Sequence, residues 1–316
     1  MHLLESMAYV GTKPWHGLGN QLARQQSIER WKQQAGMDWK IEESEVRYIA
    51  GNQNVGAINA FPGNKVLYRS DTKAPLAVVS KRFQVVQPGE ILEFYRDLTA
   101  SSGFELETAG VLREGRKFWA LARTGQSTVL RGRDRVNGYL LLATACDGTL
   151  ATTAQFTSIR VVCNNTLAVA LGNGGAIKVP HRSHFDPDLV KRQLGITVSA
   201  WDGFVERMKA LCEFPVEPDS SDALLRRVLT CTAPNAVQVV NEQAVAKVRA
   251  LYKGDGRGSQ LASSRTTAWG LLNAITEHVD HHRRARSDDH RRDAAWFGQG
   301  AQIKQRAWEE VLGMVA

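Results

Sequence analysis

"NGYLLLATACDGTLATTAQFTSIRVVC", residues 137–163, reads as two strand-like runs on either side of Asp147-Gly148. Asp-Gly between such runs is a strong short-range hairpin signal, because the tight turn needs backbone that Gly and Asp tolerate. Upstream, "FELETAGVLREGRKFWALART" (104–124) predicts a second hairpin turning at Glu114-Gly115. "DWKIEESEVRYI" (38–49) alternates as a strand should. "KVLYRSDTKAPLAVVSKRFQVVQ" (65–87) gives a strand, a turn at Ser70–Pro75 and another strand. Between these lies "PGEILEFYRDLTASSG" (88–103), a helix with Pro88 in its first turn, Ile91, Leu92, Tyr95 and Leu98 on one face, and Gly103 as its stop. Residues 41–163 are therefore expected to form an antiparallel sheet interrupted by one helix, an α+β arrangement and not an alternating βαβ one.

Outside that block the pattern changes. "GTKPWHGLGN" (11–20) carries turn breakers and predicts a loop-rich N-terminal segment, and "SIERWKQQAGM" (27–37) predicts a short helix capped by Ser27. Beyond Gly172–Gly175, "HFDPDLVKRQLGITVSAWDGFVERMKALCEF" (184–214) reads as one long helix. "TAWGLLNAITEHVDHHRRARS" (267–287) and "AAWFGQGAQIKQRAWEEVLGM" (294–314) read as further helices, with "YKGDGRGSQ" (252–260) as a loop before them. The expected organisation is an α+β sheet domain over 1–175 and a helical region over 176–316.

The 316 residues are 43% hydrophobic and 23% charged, enough to bury a core without disulfides or a metal. No apolar run approaches the ~20 residues that span a bilayer, and the first residues lack the pattern of a signal peptide. Cys146, Cys163, Cys212 and Cys231 are scattered with no C-x-x-C pair, so reduced thiols and a cytoplasmic setting are expected. The formal charge is +8, which favours polyanionic partners. Between Arg113 and Arg135 seven basic residues stand against two acidic ones, a local net of +5.

Catalytic and metal motifs are weak. His278 and His282 stand at i, i+4, a spacing that can chelate zinc, but the sequence is not H-E-x-x-H and "RRARSDDHRR" surrounds it with cations. His181 and His184 of "HRSH" lie in a loop. Cys163 follows an apolar strand, where a cysteine packs more often than it reacts. No phosphate-cradling glycine motif is present, and no cofactor is expected.

The polar content of "TTAQFTSIRVVCNNTLAVAL" (152–171) has a physical reading. Asn164 or Asn165 suits the cap of a helix beginning at Thr166. Arg160 shares a strand face with Ser158 and Phe156, so its guanidinium either meets a phosphate beside a stacked base or pairs with Asp147 or Asp71 inside the sheet. Cations interleave with aromatics at Lys81-Arg82-Phe83, at Arg116-Lys117-Phe118, at Arg131, Arg133 and Arg135, and at Tyr139. Such a set on neighbouring strands predicts a nucleic-acid groove, with cations for phosphates and rings for bases.

Several longer strings occur in fixed order: "YVGTKPWHGLG", "AGMDW", "YRSDT", "VVSKRFQVVQPGE", "ETAGVLREGRKFWALA", "YLLLATACDGT", "TSIRVVCNNTLAVAL" and "WFGQGAQIKQRAW". With them the chain resembles, over nearly its whole length, the phage/plasmid-like protein family, a domain of unknown function found on phages, prophages and conjugative plasmids. Where relatives often show His-Asp-Gly, this chain has Cys146-Asp147-Gly148, which argues against a catalytic histidine there. The resemblance implies a role when foreign DNA enters or replicates. Hairpins around one helix, followed by a helical tail, are similar to the core of single-strand annealing proteins. The leading expectation is a non-enzymatic single-stranded DNA-binding or annealing protein that forms a homo-oligomer and has no membrane association. The alternatives are a protein-binding module that inhibits a host defence complex and a metal-dependent nuclease or hydrolase.

Overall fold

The computed structural model describes residues 4–11, 19–52, 55–160, 162, 165–168, 176–198, 200–231 and 239–315. The chain begins with β1 (Leu4–Val10), β2 (Asn20–Leu22) and α1 (Ile28–Gln34), then β3 (Ile41–Asn52), β4 (Val55–Arg69) and β5 (Pro75–Ser80). Next come α2 (Pro88–Glu93), α3 (Arg96–Ser101), β6 (Glu105–Leu112), β7 (Lys117–Leu130), β8 (Asp134–Ala145), β9 (Thr152–Arg160), β10 (Asn165–Ala168) and β11 (Ile177–Val179). The remainder carries α4 (Pro187–Val198), α5 (Ala200–Glu213), α6 (Pro218–Val228), α7 (Glu242–Ala250), α8 (Ala268–Glu277), α9 (Asp288–Phe297) and α10 (Gln299–Leu312). The fold is α+β with antiparallel sheets and a helical C-terminal region.

The larger sheet runs β10-β9-β8-β7-β6-β1-β2, with β11 also on β9. Both expected turns are present, with Gly115 and Gly148 at φ +89° and +77°. A third turn, Arg131 to Arg133, joins β7 to β8 where only a charged stretch was expected. In the middle of the sheet both faces are covered. Phe118, Ala120, Leu140 and Leu142 enter the main core, whereas Trp119, Leu121, Tyr139 and Leu141 enter a second cluster closed by Trp296 and Phe297. Burial on both faces explains why "KFWALA" and "YLLLATA" are continuous apolar runs and do not alternate.

Four expectations are corrected. Residues 41–163 form two sheets, because β3, β4 and β5 make a separate three-stranded one. The N-terminal segment supplies β1, which pairs antiparallel with β6 from Leu4 opposite Leu112 to Tyr9 opposite Thr108. Asn165 to Ala168 form a strand and not a helix start; their backbone pairs with β9 from Arg160 back to Thr157, satisfying the donors and acceptors of that edge. The helix expected over 88–103 is two helices. It breaks at Phe94 and Tyr95, both fully buried, where the Tyr95 hydroxyl lies 3.0 Å from the carbonyl oxygens of Ala120 and Leu140. The helix expected over 184–214 is seen as α4 and α5, which stand on either side of residue 199, outside the described residues. Asn164 and Cys163 lie outside the described residues.

The main core includes side chains from both sides of residue 175, with Trp31, Phe118, Phe204 and Trp308 in one cluster. The central helix, α8, is buried on every side. Thr267 caps it by accepting from the Gly270 amide. A Cβ at Gly270 would lie 1.8 Å from the Ser264 carbonyl oxygen, so only glycine permits this backbone approach. No helix among the described residues is long and apolar enough to cross a membrane. Gly270→Ala is expected to destabilise the protein by about 1–3 kcal/mol through overpacking, measured as a lower urea midpoint with an unchanged slope.

Candidate nucleic-acid interface

The β7–β8 hairpin decides where the predicted cations go. Lys117 pairs with Ala145 at one end and Leu130 with Asp134 at the other. At a strand rise of ~3.3 Å those ends are about 40 Å apart. Lys81, Arg82, Phe83 and Arg116 therefore lie far from Arg131, Arg133 and Arg135, and the expected single trough is divided between the two ends.

Four of the predicted residues face inward. Lys117 is 3% exposed, is paired with Asp293, and sits 4.9 Å over the Phe297 ring. Burial pulls its ammonium below the usual lysine range, and Asp293 opposes that shift. Phe118 is wholly buried in the core. Tyr139 is buried, and its hydroxyl donates to Glu107 at 3.1 Å, with Arg123 bound to the same carboxylate. Burial pushes that phenol up to about 12.

Arg160 is the fourth. It shares a face with Ser158 and Phe156 as alternation requires, but that face is interior. Its carboxylate partner is Asp134, 2.7 Å from Nε, and neither Asp147 nor Asp71. Nη2 also donates to Ser264 Oγ at 2.7 Å and the Gly258 carbonyl at 3.2 Å. The other Asp134 oxygen accepts from Ser263 Oγ at 2.7 Å and Trp269 Nε1 at 3.0 Å. Asp71 is bound to Arg69, and Asp147 holds Thr149 in its own turn. Removing one member of a buried pair strands the other charge, at about 3–5 kcal/mol. Asp134→Ala is expected to lose that much stability in equilibrium urea unfolding.

The residues left at the solvent gather through turns. The Phe83 ring stacks on His181, with centroids 4.3 Å apart and planes 18° from parallel. The Gln84 amide donates to the His181 carbonyl at 2.6 Å, and His181 Nε2 lies 2.9 Å from the Leu150 carbonyl. The Cys146 amide donates to the Arg116 carbonyl at 2.9 Å. These contacts bring the turns after β5, β6, β8 and β11 to one end of the sheet, where Lys81, Arg82 and Arg182 are exposed and Arg116 is half-buried. Arg113 and Glu114 hold φ of +55° and +57° in that cluster, the left-handed region that non-glycine residues occupy at a cost and that concentrates at functional sites. At the opposite end Arg131 is bound to Glu213 and to the Ala262 carbonyl, beside exposed Arg133 and Arg135. His181 was legible only as a loop histidine of "HRSH", and Arg182 was not singled out; the stacking partner of Phe83 is nearly a hundred positions away in the sequence and left no local signal.

Other chemistry finds little support. Cys146 and Cys212 are buried, which pushes both thiols up to about 12, so neither is a ready nucleophile. Among the described residues no group of three His, Cys, Asp or Glu side chains is placed to hold a metal. His278 is buried in the turn after α8; burial first, then the nearby charges of His282, Arg283 and Lys247, lowers its pKa to about 4. A depressed histidine stabilises the fold fully above its unfolded pKa near 6.5 and loses that contribution as pH falls towards 4, by about 3 kcal/mol in all. His278→Gln is expected to flatten the decline in unfolding free energy between pH 6.5 and 4.5.

The model of a domain of unknown function (DUF932) matches residues 75–296. No curated protein and no solved structure matches the chain.

Proposed function

This chain belongs to the DUF932 family, a domain family of unknown function, and from that premise we propose that it is a non-enzymatic protein that binds single-stranded nucleic acid. The observation that carries this reading is exposed Lys81, Arg82 and Arg182, with half-buried Arg116, around the stacked rings of Phe83 and His181. Clustered cations neutralise phosphates, and an aromatic ring beside them can stack on a base. Glu114, Asp147 and Asp186 are the acidic side chains of the adjoining turns. Asp147 is occupied by Thr149, Asp186 accepts from the Asp188 and Leu189 amides at the start of α4, and Glu114 stands 3.9 Å from Arg116, so four cations face three carboxylates and the local balance stays positive. The annealing role and the setting on phages or plasmids belong to the same proposal; they rest on the shared sequence strings and on the order of hairpins, helix and helical tail.

Four phosphate contacts on a single strand give a slope of log K against log salt of about −3, and so an affinity loss of roughly 50-fold between 50 and 200 mM salt. Fluorescence anisotropy with a labelled oligothymidylate is expected to show that dependence. Alanine at Lys81, Arg82, Arg116 and Arg182 together is expected to weaken binding at least tenfold and flatten the slope, whereas Arg133→Ala with Arg135→Ala leaves both nearly unchanged. No binding at low salt, or equal binding by the fourfold variant, overturns the proposal.

A further inference from the structure

The β3–β4 hairpin extends well beyond the sheet that it belongs to. β5 pairs with β4 only from Asn64 to Tyr68, so the distal part of β4 has β3 as its sole neighbour among the described residues. Beyond Ile41, whose backbone bonds the Gln87 side chain, the outer edge of β3 has no strand neighbour among the described residues. The register slips between Glu45 and Val46, and a bulge at 61–65 marks where the free arm begins.

The arm is apolar on both sides. Phe61 lies opposite Val46 on one face, and Ile49 lies opposite Ile58 on the other. Tyr48, Ile49, Ile58 and Phe61 are 51%, 73%, 68% and 51% exposed. A two-stranded ribbon is marginally stable alone, and long apolar edges with unpaired amides and carbonyls pair with other strands unless they are protected by charge or cover. Protection by charge is missing here: between residues 46 and 63 the only charged side chain is Arg47, which is tied to Glu45.

We propose that the β3–β4 arm is a self-association surface, in which β3 of one copy pairs antiparallel with β3 of a second to make one continuous sheet. Charge decides the occupant. A nucleic acid or an anionic lipid surface would call for cations that the arm does not carry. A second copy repels this +8 chain over most of its surface, and the near-neutral arm is where two copies can approach. An antiparallel edge is also self-complementary about a two-fold axis. Centring the axis on Ile49 sets Arg47 opposite Gly51 of the second copy, so like charges do not meet. About eight residues of ribbon span only some 25 Å, which buries less than a standard interface of ~800 Å² per partner. The association is therefore expected to be reversible and concentration-dependent. It does not depend on the nucleic-acid reading.

The test is sedimentation velocity of the full chain, without nucleic acid, from about 1 to 100 µM, beside the variant Ile49→Lys, whose ammonium would face that of the second copy across the proposed axis. The Ile49 side chain is mostly in solvent, so the variant is expected to keep the wild-type melting curve. The expected result is a wild type that passes from monomer to dimer over this range and a variant that stays monomeric. A wild type monomeric throughout overturns the proposal, and co-flotation with phosphatidylcholine vesicles would then assign the arm to a lipid surface. A variant that dimerises like the wild type overturns it as well.

Discussion

The ion pair between Asp134 and Arg160 is the contact on which the rest of the arrangement turns. A guanidinium and a carboxylate removed from water are tolerated only when nearly all their hydrogen-bonding capacity is met. Asp134 begins β8, Arg160 ends β9, and Ser263, Ser264 and Gly258 belong to the loop that feeds α8, whose own Trp269 completes the shell. One polar centre thereby fixes a hairpin end, the last residue of a strand and the entry to the most deeply buried helix. Gly270 lets that helix press against Ser264, which holds the serines where the pair needs them. Lys117 with Asp293 and Lys304 with Asp280 repeat the pattern at α9 and α10.

These pairs explain how much the sequence could say. Turn positions were readable because Asp147-Gly148 and Glu114-Gly115 carry their requirement locally. The Ser27 cap was readable for the same reason, and Ser27 does accept from the Arg30 amide. What was not readable was the destination of each cation. Arg160 and Asp134 are 26 positions apart, and Lys117 and Asp293 are 176 apart. An arginine bound for a buried carboxylate looks, in one dimension, like an arginine bound for a phosphate. The helix expected at Thr166 failed similarly, since the alternative was a ladder with β9 that no local propensity reveals. The reach of β3 and β4 beyond their sheet was hidden because β-propensity does not distinguish paired from unpaired strands.

Electrostatics divides the surface that remains. The turns at one end of the large sheet present cations around a pair of stacked rings, and the free arm presents apolar side chains with almost no charge. The two are adjacent at their roots, where the Lys81 amide donates to the Gly63 carbonyl at 3.1 Å. Two copies joined through their arms would carry a cationic patch on each side of the joint. The two proposed contacts, one for a polyanion and one for a second copy, are kept apart by where charge is placed along 46–83.

The central claim is that polyanion contact is confined to the turns that meet around Phe83 and His181. Amide hydrogen exchange of the intact protein, with and without a short oligothymidylate, tests it most directly. The account predicts slower exchange at residues 80–84, 114–116, 147–149 and 181–184, with residues 131–135 unaffected. Protection centred on 131–135, or none at the four turns under saturating oligonucleotide, would contradict it.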